Sequence, residues 1–195
     1  MIQAEDPHHP VGTVLAGAGD NKVAAMQAHY ESLDLLGINI YRGAEQVDGL
    51  LEAQGWDRPY LSTKFGPDGH WELPATSWGA PLEPTAAEKA EAYFDNHFVA
   101  MSAPRNLCLG TFCLFWGQTQ ETTATWFSMF LPTGERTPSI DVIVRAWSGA
   151  EPANPSPIIH HLEADFREAK VTAGSEHTVV ARVKPTTPTP SSLSG

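Results

Sequence analysis

The sequence predicts an α/β protein: four strand–helix units of parallel sheet, followed by a short β-rich tail. Three observations carry this reading. Between residues 1 and 150, apolar stretches of strand length alternate four times with stretches of helical spacing, and such alternation argues for a parallel sheet. The stretch Leu107–Phe115 is apolar but for Gly110 and Thr111. It is too short and unbroken for an amphipathic helix, and its Phe, Thr and Cys suit a strand covered on both faces. After residue 150 a proline-rich segment leads into short runs of strand character.

Taken in order, residues 11–17 follow Pro10 as a short apolar strand, and 21–32 have helical spacing with Val23, Ala24, Met26 and Tyr30 on the buried side. Residues 33–41 read as a second strand and 44–53 as a helix. Arg58–Phe65 reads as a third strand that stops in Gly66-Pro67-Asp68-Gly69. A long loop over 66–84 carries His70, Trp71, Glu72 and Trp78. Thr85-Ala86-Ala87-Glu88 then matches the capping box that opens a helix running to about Met101.

The fourth strand, 107–116, stops in Trp116-Gly117-Gln118: an aromatic plate, a flexible joint and an amide. Many α/β enzymes present a ligand platform at such strand ends; the plain alternative is that Trp116 is the last core residue. Residues 126–134 read as a small extension. Thr137-Pro138 supplies an N-cap and a proline for a helix to about Trp147, stopped by Gly149. The expected domains are therefore 1–150, a stiff proline-rich linker at 151–157, an incomplete β-sandwich-like segment at 158–185 and a disordered Pro/Ser/Thr-rich tail at 186–195. Three short strands are expected in the third of these, at 158–162, 169–172 and 177–183.

Composition narrows the function. A net charge of −11 argues against a protein that tracks nucleic-acid phosphates, and six tryptophans on an acidic chain lean toward neutral sugars. The two cysteines, Cys108 and Cys113, are five apart on one strand, so alternation sets them on opposite faces as apolar fillers. His160-His161 lacks partners at metal spacing, so no metal and no cofactor is expected. No apolar run reaches membrane-spanning length, and Met1–Pro7 has neither the basic region nor the apolar core of a signal peptide. A closed eightfold barrel needs about 250 residues and eight units. With four, the sheet is open, or two chains pair, or the chain is the rear half of something larger.

Several runs carry a resemblance: Gly37-Ile38-Asn39-Ile40-Tyr41-Arg42-Gly43, Arg58-Pro59-Tyr60 with Phe65-Gly66-Pro67, and Phe115-Trp116-Gly117-Gln118 with Thr125-Trp126-Phe127. Together they resemble the C-terminal half of a clan A, family 2-like TIM-barrel glycoside hydrolase, of the bacterial secreted or periplasmic β-glucanase-like type. The resemblance implies that the four strands are the fifth to eighth of a (β/α)8 barrel, with Asn39 and Tyr41 at the mouth of the sixth and Trp116 at the mouth of the eighth. It also implies a glutamate nucleophile at the end of the seventh strand. Here that position is Lys64, in Thr63-Lys64-Phe65-Gly66. The acid/base glutamate belongs to a strand this chain lacks.

The expected function is accordingly a glycoside hydrolase-like protein that acts on or binds a β-linked glucan or oligosaccharide, incomplete or impaired in catalysis. The alternative is a non-catalytic carbohydrate-binding or self-assembling module, partnered by a second copy or an N-terminal half barrel. Lys64 is open to three roles: a solvated strand-end charge, a ligand contact, or a substituted catalytic position. Tyr41 and Trp116 are candidates to stack on a sugar ring, with Asn39, His70, Trp71 and Gln118 beside them. Glu121 and Glu72 are the carboxylates nearest the expected mouth; either is a candidate general acid or base, with Glu121 the catalytic candidate, and a solvated loop carboxylate is the alternative for each.

Overall fold

The computed structural model describes residues 2–166 and 169–184. The chain divides into two compact units, Met1–Pro67 with Ala92–Leu114, and Asp68–Glu91 with Phe115–Gly195. The expected tail at 186–195 and the side chain of His160 lie outside the described residues.

The first unit holds a four-stranded parallel sheet in the order β1 (Gly12–Ala16), β2 (Leu35–Asn39), β3 (Tyr60–Phe65), β4 (Cys108–Cys113). A short helical turn, α1 (Ile2–Glu5), precedes it, and α2 (Lys22–His29) and α3 (Ala44–Ala53) connect the first three strands. The last part of α4 (Ala86–Met101) leads into β4. Strand order follows chain order, the pattern of a sheet wound in one direction. Leu15, Leu36, Ile38 and Tyr60 join Val23 of α2, Val47 and Leu51 of α3 and Ala100 of α4 in one buried cluster, so these helices cover one face. Each Leu or Ile buried there contributes about 1.5–3 kcal/mol.

Arg105 fastens the connection from α4 to β4. Its Nε donates to Asp48 Oδ1 at 3.0 Å, and its terminal nitrogens donate to the carbonyls of Trp56 at 2.7 Å and Asp48 at 3.1 Å.

The expectation that the fourth strand is covered on both faces is corrected. β4 is an edge strand, with Leu109 60 % and Phe112 58 % exposed. An unbroken apolar run signals a strand that wants two layers, whether or not the chain supplies the second. The opposite-face expectation for the cysteines is corrected too. Register shifts between β3 and β4 set Cys108 beside Tyr60 and Cys113 beside Phe65, and both partners pack on the helix side, Phe65 against Tyr93 and His97 of α4. Both thiols are free.

In the second unit the capping box opens α4: Glu88 N donates to Thr85 Oγ1 at 3.2 Å and Thr85 N to Glu88 Oε2 at 2.7 Å. Trp126, Phe127, Met129, Ile140 and Ile143 are buried. Helix α5 (Pro138–Ser148) begins at its proline and ends at Gly149 in the left-handed region. Thr137 precedes it, but its hydroxyl donates to the Met129 carbonyl at 3.1 Å instead of capping the helix. After the linker, β5 (Ile158–Ala164) pairs antiparallel with β6 (Val179–Lys184). The strand expected at 169–172 does not form, and Val171 there is 50 % exposed. Side chains close the connection instead. His177 Nδ1 lies 3.2 Å from Asp165 Oδ1, and Ser175 Oγ lies 2.8 Å from His177 Nε2. Among the described residues no helix is long and apolar enough to cross a membrane.

Candidate functional site

The carboxyl ends of β2 and β3 build the first cluster of expected site residues. Glycine at 37 is required by close packing, because a Cβ there would lie 2.7 Å from Thr63 Cγ2 and 2.8 Å from Val14 Cγ2. That approach lets Thr63 Oγ1 donate to Asn39 Oδ1 at 3.0 Å. A register shift follows between Ile38 and Asn39. Pairing then continues past the strand ends, with Ile40 N donating to Lys64 O at 2.7 Å and Gly66 N to Tyr41 O at 3.1 Å. Tyr41 and Lys64 are thereby held side by side. Lys64 Nζ donates to Tyr41 Oη at 2.5 Å and lies 4.2 Å from the centre of its ring.

One buried residue that the sequence reading passed over fixes this end of the sheet. Asn96 of α4, 4 % exposed, directs its amide nitrogen at the carbonyls of Ala92, Gly66 and Tyr41 at 2.8, 3.2 and 3.3 Å, and its oxygen accepts from Ala44 N at 3.3 Å. A single amide thus ties the start of α3 to the ends of β2 and β3. Nearby, His97 Nδ1 is 2.7 Å from Thr111 Oγ1, and burial pushes the imidazole below its ordinary pKa.

The second cluster lies in the loops of the second unit. His70 stands edge-on to Trp71, ring centres 4.7 Å apart, and edge-on to Trp126 at 5.8 Å. Its Nε2 is 3.9 Å from Glu121 Oε1, the outer limit of an ion pair. Trp126 is fully buried and its indole N–H donates to the Asp68 carbonyl at 3.1 Å. Trp71 is 56 % exposed. Glu72 is committed elsewhere: its carboxylate accepts from Gly69 N at 2.6 Å and closes the turn.

Trp116, 62 % exposed, leans edge-on against Phe130 at 5.3 Å. It is a surface residue, not the last core residue. The Gly117 carbonyl beside it accepts from Met129 N at 3.1 Å and Phe130 N at 3.2 Å. Gln118 is exposed on the same segment. Behind Trp126, Lys89 Nζ donates to Glu83 Oε1 and to the Thr125 carbonyl, both at 2.6 Å, and Thr125 Oγ1 donates to Glu83 at 2.7 Å. Burial works against ionisation of Glu83, but the hydrogen bonds from Lys89 and the neighbouring threonines outweigh it and leave the pKa below its ordinary value.

The expected residues therefore fall into groups: Tyr41 with Lys64, beside Asn39; His70 with Trp71 and Glu121; and Trp116 with Gln118. The first can donate hydrogen bonds from an ammonium, and the other two offer exposed aromatic faces. An ammonium cannot form the glycosyl ester of a retaining hydrolase, and no group of three or more His, Cys, Asp or Glu among the described residues is placed to hold a metal ion. Sequence signals existed for Trp126, in an aromatic run, but none for Asn96.

No family model matches the chain, and no curated protein matches it. Among solved structures it is similar to a GH128 (subgroup VI) exo-β-1,3-glucanase from Aureobasidium namibiae, with 11 % identity and a TM-score of 0.45. The similarity covers 74 % of this chain and 55 % of that one, so the chain spans little more than half the length of that structure.

Proposed function

We propose that the chain is a glycoside hydrolase-like module that binds β-linked gluco-oligosaccharides and does not hydrolyse them, its four parallel strands corresponding to the fifth to eighth of a (β/α)8 barrel. The observation that carries this reading is the Lys64–Tyr41 pair. At the strand end where the resemblance implies a nucleophilic glutamate, a lysine ammonium is held against a phenol. It repels the positive charge that develops at the sugar in glycosidic cleavage and supplies a hydrogen-bond donor in its place. The exposed rings of Trp71 and Trp116 favour a pyranose face, which is apolar on its C–H side. Glu121, whose carboxylate lies 3.9 Å from His70 Nε2, is the remaining candidate acid, and a retaining mechanism needs a second carboxylate about 5–5.5 Å away, where the resemblance puts Lys64 in place of the nucleophile.

The domain division at 150 and 157 belongs to the same proposal. The test is binding and turnover measured together. Tryptophan fluorescence should respond to a β-linked gluco-oligosaccharide, Trp71→Ala and Trp116→Ala should each weaken binding, and aryl β-glucosides should not be cleaved. Cleavage that is abolished by Glu121→Gln and retained in Lys64→Ala would overturn the proposal.

A further inference from the structure

We propose that the face of the four-stranded sheet opposite the helices is a self-association surface, on which a second copy of this chain seats the same face. This goes beyond the glucan reading and stands on the sheet alone.

Parallel sheets are normally covered on both faces. Here α2, α3 and α4 cover one. Alternation from the buried Leu15, Leu36 and Tyr60 turns Val14, Leu35 and Leu61 to the other, and β4 adds Leu109 and Phe112. Val14, Leu109 and Phe112 are 54, 60 and 58 % exposed. Single exposed apolar side chains are ordinary; several on one side of one sheet mark an interaction surface.

The edges select the occupant. Among the described residues β1 and β4 each pair with a strand on one side only, so each is an open edge of the sheet. A twofold axis running along the strands that sets β4 beside the partner's β1 sets β1 beside the partner's β4 in the same operation. Both edges of both copies are satisfied, every pairing is parallel, and the strand total becomes the eight at which side chains fill a closed barrel. Any other occupant would have to bring two parallel edge strands of its own.

Area and charge agree with this. Four strands at about 4.8 Å spacing, each about 17–20 Å long, present a flat area of about 350 Å². Doubling that for pleat, side chains and the two edges gives about 700 Å² per copy, close to the ~800 Å² of a standard specific interface. The chain carries a net charge of −11, yet Lys64 is the single Asp, Glu, Lys or Arg in the four strands. The acidic residues lie elsewhere, and pairing these faces opposes no carboxylates.

The test is light scattering on the whole chain over a dilution series, with amide hydrogen exchange on the same samples. The expected result is twice the chain mass, with protection at 12–16 and 108–113 that falls on dilution while that of β5 and β6 does not. Phe112→Asp should weaken association about 30-fold or more, as loss of an interface anchor does, and Leu162→Asp, 62 % exposed on the ribbon, should leave it unchanged. The exchange pattern of the wild-type chain decides the matter if Phe112→Asp fails to fold. A monomer at the highest concentration overturns the proposal, as does a dimer whose dilution-sensitive protection maps to β5 and β6. Failure here leaves the sugar titration unaffected, so the two proposals fall separately.

Discussion

Removing the ammonium of Lys64 probes whether the end of the sheet is preorganised. Two contacts disappear in Lys64→Met: the bond from Nζ to Tyr41 Oη at 2.5 Å, and the charge lying 4.2 Å from the ring centre. A hydrogen bond involving a charged group contributes about 1.5–3 kcal/mol and an exposed cation–π contact about 0.5–1 kcal/mol. Both side chains are half-buried, so water competes for the ammonium and the pair is worth about 1–2 kcal/mol. The assay is a double-mutant cycle with Lys64→Met and Tyr41→Phe, read by chemical denaturation. The expected coupling is about 1–2 kcal/mol, which for a chain of this size corresponds to about 3–6 °C in Tm. Coupling within about 0.3 kcal/mol of zero would mean that the pair is not held together. The ammonium would then be an ordinary solvated charge, and its place beside Tyr41 would have no bearing on ligand binding.

Three further outcomes follow from the same structure. Asn96→Leu should cost about 3 kcal/mol, because it orphans the Ala44 N–H and removes the donor to buried carbonyls; denaturant midpoints measure it, and a loss under about 1 kcal/mol would contradict the role given to this amide. The ionised Glu83 stabilises the fold, since its pKa is below that of the unfolded chain. That contribution is fully present above about pH 4.5 and is lost as pH falls through the folded value, so Glu83→Gln should flatten the acid limb of the stability curve and leave the neutral region sloped as before. Gly37→Ala should destabilise by about 1–3 kcal/mol, because the added methyl meets Thr63 and Val14; Thr63→Ser in the same chain should recover part of that loss.

Local signals in the sequence were sufficient wherever neighbours in the chain decide the structure. The helix expected at 44–53 forms as α3 over Ala44–Ala53, and the Thr85–Glu88 box caps α4 as read. Tyr41 and Lys64 meet because backbone pairing continues past the ends of β2 and β3. Asn96 was illegible because its four partners come from Tyr41, Ala44, Gly66 and Ala92, and only the last is local. The register shifts beside Ser62 reversed the expected facing of one cysteine, and no periodicity argument detects a single inserted residue. The uncovered side of β4 was misread because apolar character reports what a strand needs, not which chain supplies it.

Sugar binding without cleavage is measured in one experiment by calorimetric titration of the chain with a β-linked gluco-oligosaccharide, with reducing ends counted before and after. The expected result is a binding heat that Trp71→Ala or Trp116→Ala diminishes, with no new reducing ends. Absence of heat, or reducing ends that accumulate with time, would contradict it.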